Sequence, residues 1–147
     1  MRLRLAAALA ICLMPAASLR ADLKRARAES NLEKRSQLAL ENARGQYLAA
    51  RAAYEKGESD QVATAVAEMQ ESVELAYASL SQTGKDPRRS PRYFKKAEID
   101  TRDLLRKIEA FDQEMSFAER PLLEKAKVSI QKVHDDLLVG LMEGKHK

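Results

Sequence analysis

Apolar residues recur along this chain at alternating spacings of three and four, and nowhere alternate at spacing two over a useful length. After Pro91 the stripe runs Phe94, Ala97, Thr101, Leu104, Ile108, Phe111 and Met115. After Pro121 it runs Leu123, Ala126, Ile130, Val133, Leu137 and Gly140, widened by Leu122, Leu138 and Leu141. Two earlier stripes are Val62, Val66, Met69, Val73, Ala76, Leu80 and Leu40, Ala43, Tyr47, Ala50, Tyr54. Such spacing puts each set on one face of an α-helix. The chain therefore reads as all-α. Stripes of similar length facing a shared core predict an antiparallel up-down-up-down four-helix bundle over 38–147. Two helical hairpins packed as in a repeat protein are the second arrangement that fits.

Local chemistry marks the boundaries. Gly57 follows Lys56 and can take the left-handed conformation that stops a helix, while Ser59 is placed to cap the next. Ser116-Phe117-Ala118-Glu119 reads as a capping box, with the regular helix starting near Pro121. Gly144 ends the last helix. One long connection, the basic loop at 81–91, separates the second and third stripes. The first helix opens on a charged stretch, 22–37, where Leu23, Ala26 and Leu32 are too sparse for a full core face. It is expected to project beyond the bundle or fray, and a projecting start would offer a surface for oligomerisation.

The segment AAYEKGESDQVATAVAEM resembles the helix-turn-helix of a tetratricopeptide repeat, with Tyr54 and Gly57 near their expected places. Val62 and Met69 stand where that motif demands small residues, and no second copy follows at the repeat's period of about 34 residues. The segment is read as a generic helical hairpin.

Composition and charge turn on the first 21 residues. Arg2 and Arg4 precede an apolar run from Leu5 to Ala17, broken by Pro15 and followed by Ser18, Leu19, Arg20 and Ala21. The run is shorter than the roughly 20 residues that span a bilayer. It reads as a secretory signal peptide, 1–21, cut after Ser18 or, preferably, Ala21. An uncleaved anchor is the other reading. Cys12 sits inside the apolar run behind Ile11, the wrong place for lipidation, and cleavage would remove this single cysteine and its chemistry. The whole chain carries 26 Lys and Arg against 22 Asp and Glu, a net +4. The leader holds three of those cations and no acid, so the remainder is nearly neutral, which argues against nucleic acid as a partner.

Candidate chemistry is sparse. Consecutive residues on a helix point about 100° apart, so His134-Asp135-Asp136 cannot converge on one ion. His134 reads as a histidine flanking the apolar stripe, and His146 lies near the C-terminus. No Cys-x-x-Cys-His or Glu-x-x-His pattern, nucleophile elbow or phosphate loop is present. Met69 and Met115 fall on core stripes, where methionine is usually packing. No catalytic, cofactor-binding or metal residues are assigned, and the chain is expected not to be an enzyme. Glu98, Asp100, Asp103, Glu109, Asp112 and Glu114, interleaved with Arg102, Arg106 and Lys107, read as a solvated outer face.

The basic loop breaks the pattern. Lys85, Arg88, Arg89, Arg92, Lys95 and Lys96 gather against a single acid, Asp86. Ser90 and Pro91 suit the first positions of a helix, so the last three cations occupy its first turns. A helix N-terminus carries about half a positive charge, which makes cations there unfavourable unless something anionic settles them. Phospholipid head groups, lipopolysaccharide, a cell-wall polymer or an acidic protein would serve, and Tyr93 and Phe94 could add apolar contact at a membrane. The sequence therefore points to an exported, periplasmic or extracellular, non-catalytic binding or scaffold protein of the cell envelope. Its expected partner is another envelope protein or an anionic envelope surface. The alternative is a helical carrier of a small ligand or metal, with room beside Gly140 or along the Ala-rich face of the first helix.

Overall fold

The computed structural model describes residues 17–144, which contain five helices and no strand. Most of the expected signal peptide, Cys12 included, and His146 lie outside the described residues. The helices are α1 (Ala17–Ala28), α2 (Leu32–Glu55), α3 (Ser59–Gln82), α4 (Pro91–Glu114) and α5 (Pro121–Glu143). None is long and apolar enough to cross a membrane.

The expected single first helix is two. Asn31 stops and restarts the chain: its side-chain Oδ1 accepts from the Lys34 backbone N–H at 2.9 Å, capping α2. Glu29 then turns its carboxylate to the Asn31 N–H at 3.0 Å. The charged stretch neither projects nor frays. Helix α1 folds back along α2, bringing Asp22 and Arg25 to the same cleft as Leu38, Glu41 and Asn42. Leu23 and Ala26 are buried, and Arg27 pairs with Glu71 of α3. Among the described side chains of α1, these are the buried apolar ones, and they meet an alanine-rich neighbour.

Helices α2 and α3 form the tightest pair. Ala39, Ala43, Ala50 and Ala53 face Ala65, Ser72, Ala76 and Ser79, all buried, and small side chains allow two helix axes to approach closely. The turn between them follows from Gly57 at φ +71°: its N–H donates to the Tyr54 carbonyl, and the Glu58 N–H donates to the Ala53 carbonyl. Ser59 does not cap α3. Glu58 holds that position without a side-chain cap bond, because the Gly57 turn brings Ser59 into the helix itself, where its Oγ donates to Glu119.

Residue pairs fix the directions of the other helices. Arg44–Asp100, Tyr47–Lys107 and Arg51–Glu114 rise together, so α2 and α4 run parallel. Lys127–Glu109 and His134–Glu98 run in opposite order, so α4 and α5 are antiparallel. Ser59–Glu119 and Glu74–Ser129 make α3 and α5 parallel neighbours. No Cα atom of α2 lies within 8 Å of one in α5. The described helices form a bundle in which an α2/α3 hairpin lies beside an α4/α5 hairpin, with α1 packed on the first.

The four stripes form one core, with Phe111 buried toward the Gly57 end against Tyr47 and Tyr54 in edge-on contacts at 6.2 and 5.5 Å. Leu122 and Leu141 pack against the core, but Leu138 is 40% exposed, one position past Leu137 and turned outward. The acidic residues of α4 are not simply a solvated face. With α2 on one flank and α5 on the other, Asp100 and Glu114 meet Arg44 and Arg51, and Glu109 meets Lys127. Glu98 is 8% exposed and lies 3.1 Å from His134 Nε2. His134 flanks the stripe, and the partner it meets is on another helix.

The basic end of the bundle

Helix α3 ends at Thr83, whose Oγ1 donates to the Leu80 carbonyl at 2.6 Å and accepts from the Lys85 N–H at 3.2 Å. Gly84, at φ +68°, turns the chain. Asp86 then organises the connection. Its side chain accepts from the Arg88 N–H at 2.8 Å, and its carbonyl accepts from Arg89 and Ser90 at 3.1 and 2.9 Å. Pro91 takes the first helical position of α4 as expected, while Ser90 stands at the N-cap without making a cap bond. The loop is thus a defined turn.

It is also docked. Pro87 sits so close to α5 that a Cβ on Gly140 would lie 3.3 Å from its Cγ. Arg88 lies against Gly144, where a Cβ would come within 3.0 Å of its Cδ. Gly144 itself is at φ +79° and donates back to the Gly140 carbonyl, closing α5 as expected.

Parallel packing of α3 with α5 brings both C-termini to this end of the molecule. Helix C-termini carry about half a negative charge each. They supply a counter-field for the cations, which the local sequence around α4 does not reveal. Two of the six candidate cations also have direct partners. Lys85 reaches Glu33 at the start of α2, and Lys96 reaches Asp100 at 3.0 Å. Arg92 lies 5.4 Å from the centre of the Tyr93 ring. Among the described residues, no carboxylate lies within ion-pair reach of Arg88, Arg89, Arg92 or Lys95. All four are exposed, and they follow one another along the loop and the first turns of α4 as a positive rim, with Arg88 against the end of α5. Tyr93 is half-buried, whereas Phe94 is buried in the core and is not a membrane contact.

Beneath the loop is a cleft of about 330 Å³ between α3, α4 and α5. Phe94, Leu137 and Val139 supply its apolar surface, with Tyr77, Ser81 and Lys85 at its side. It lies beside Gly140, one of the two places where the sequence left room. Tyr77 and Ser81 were missed as lining residues. They stand off the α3 stripe, and only the angle at which α5 meets α3 turns them toward the cleft.

Among the described residues, no group of three or more His, Cys, Asp or Glu side chains is arranged to hold a metal. No known family model matches the chain, and no curated protein resembles it significantly in sequence.

Proposed function

We propose that this protein is a non-catalytic helical binding module of the cell envelope, exported by the leader read at 1–21, that docks an anionic surface with the basic end of its bundle. The observation that carries this reading is the rim of Arg88, Arg89, Arg92 and Lys95, exposed at one end of a helical pair and, among the described residues, without carboxylate partners. The turn organised by Asp86 holds the loop in place, so little ordering entropy opposes docking. Each cation near an anionic lipid surface contributes about 1 kcal/mol, so four together supply roughly 4 kcal/mol, a partition ratio on the order of a thousandfold.

The test is co-sedimentation of the purified protein with phosphatidylglycerol-containing and with purely zwitterionic vesicles, at low and high salt. A variant with Arg88, Arg89, Arg92 and Lys95 changed to Glu is run in parallel. Pelleting with anionic vesicles alone, release by salt and loss in the variant support the reading. If wild type and variant stay soluble alike, the rim is a hydrated connector and a protein partner becomes the object of search.

A further inference from the structure

We infer that the cleft beside Gly140 binds a small amphipathic anion, with its apolar body under the basic loop and its acidic head at the rim. This deepens the proposed function and rests on the reading of that rim as an anion-binding surface.

The cleft's volume of about 330 Å³ corresponds to roughly ten water-sized groups, a space that suits a single short alkyl chain and not a folded peptide. Its walls match such a chain. Phe94 and Leu137, both buried, form the deep surface, and Tyr77 and Pro87 close the sides. Val139 on the rim remains 43% exposed, so apolar surface is left to water where a ligand would cover it.

The polar groups set the sign of the head. Two acids lie nearby, and each is already engaged: Asp136 with Lys132 at 2.7 Å, and Asp86 with the Arg88 N–H at 2.8 Å. Lys85 lines the cleft and bonds Glu33 from outside it. Arg88, which has no carboxylate partner among the described residues, packs on Gly144 at the same mouth. An incoming carboxylate or phosphate therefore meets Arg88 and competes with Glu33 for Lys85, while Asp136 stays with Lys132 and Asp86 keeps its charge at the Arg88 N–H.

Gly140 shapes the site. Glycine is unfavourable in a helix interior, but here it leaves space for Pro87, whose Cγ would lie only 3.3 Å from a Cβ at this position, and so brings the loop over the cleft. Lipid-derived acids and soluble organic acids share this chemistry, and chain length separates them.

Isothermal titration calorimetry with decanoate below its micellar range tests the inference, with butyrate, decanol and inorganic phosphate as comparison probes. Decanoate is expected to bind saturably at one per chain, and each comparison probe about tenfold or more weakly. Ser81→Phe, which fills the cleft from α3, should weaken decanoate binding at least about tenfold and leave vesicle sedimentation unchanged. Val139→Trp fills it from α5 at an exposed position and decides the matter if Ser81→Phe does not fold, as judged by circular dichroism. Absence of saturable decanoate binding overturns the inference. So does decanol binding as tightly as decanoate, or indifference of the affinity to both fillings. Vesicle binding that persists while decanoate binding fails removes the cleft and leaves the docking surface standing. Loss of vesicle binding with decanoate binding intact removes the surface and keeps the cleft.

Discussion

Helix α1 should open independently of the rest, and Leu23→Ala should make it do so measurably more often. Among its described side chains, two apolar residues and one ion pair attach it. Leu23 is 6% exposed and Ala26 is fully buried, while the Arg27–Glu71 pair that flanks them is about half exposed on both sides. An exposed pair contributes at most about 1 kcal/mol. Truncating Leu23 removes roughly three methylene equivalents at about 0.8 kcal/mol each, a loss near 2 kcal/mol. The site is at the edge of the fold and can collapse, so the cavity penalty should stay at the low end of the usual range of about 2–5 kcal/mol. In hydrogen exchange, where local opening sets the rate, 2 kcal/mol corresponds to roughly 30-fold faster exchange. Amides from Lys24 to Ala28 should accelerate by that factor, while those around Ile108 and Ile130 keep their protection. Unchanged α1 exchange would refute the burial argument. Equal acceleration in α4 and α5 would refute the independence of α1.

Phe111→Ala should lower stability by about 3–5 kcal/mol in urea unfolding, because the ring is 1% exposed and carries both aromatic contacts of the core. A loss below 1 kcal/mol would contradict its buried place. Gln46→Leu should raise stability by about 1 kcal/mol, since Gln46 is 2% exposed and its Nε2 has no hydrogen-bond partner among the described residues. A fall in melting temperature would count against that reading. Lys127→Met should remove a pH-dependent contribution. The Lys127 hydrogen bond holds Glu109 below the usual carboxylate range, and the same bond raises Lys127. A depressed carboxylate stabilises above its unfolded pKa, and the contribution is lost as pH falls through the folded value. A raised lysine stabilises below its unfolded pKa, and that contribution is lost as pH rises through the folded value. The difference between wild type and variant should therefore be largest from about pH 5 to 9 and shrink toward both extremes. A difference that stays unchanged when the pH is taken below about 4 and above about 10 would show that the pair is not its source.

The sequence by itself determined the helices and most of their inward faces. A 3.6-residue period, read at Phe94 to Met115 or Leu123 to Leu137, is a property of one helix and needs no neighbour to be recognised. Gly57, Pro91, Pro121 and Gly144 act through backbone conformation alone, so the boundaries they mark were legible too. Asn31 was equally local, an N-cap in plain view, but the sparse apolar pattern around it suggested one fraying helix where the chain makes two.

Only the tertiary structure decided which helix meets which. The period of a stripe says that a face is buried and is silent about its partner. It therefore could not say that α3 lies beside α5, or that α2 stands farther from it. The acids of α4 became interhelix pairs for the same reason, since a carboxylate on the flank of a stripe is solvated or paired according to what packs alongside. The basic loop shows the limit most plainly. Its six cations were countable from the sequence, and the conflict with the α4 N-terminus could be stated from it. Asp100 lies only four residues beyond Lys96, but the relief from Glu33, the two helix C-termini brought to that end and the cleft beneath Pro87 all depend on residues distant along the chain. Long-range packing placed them there.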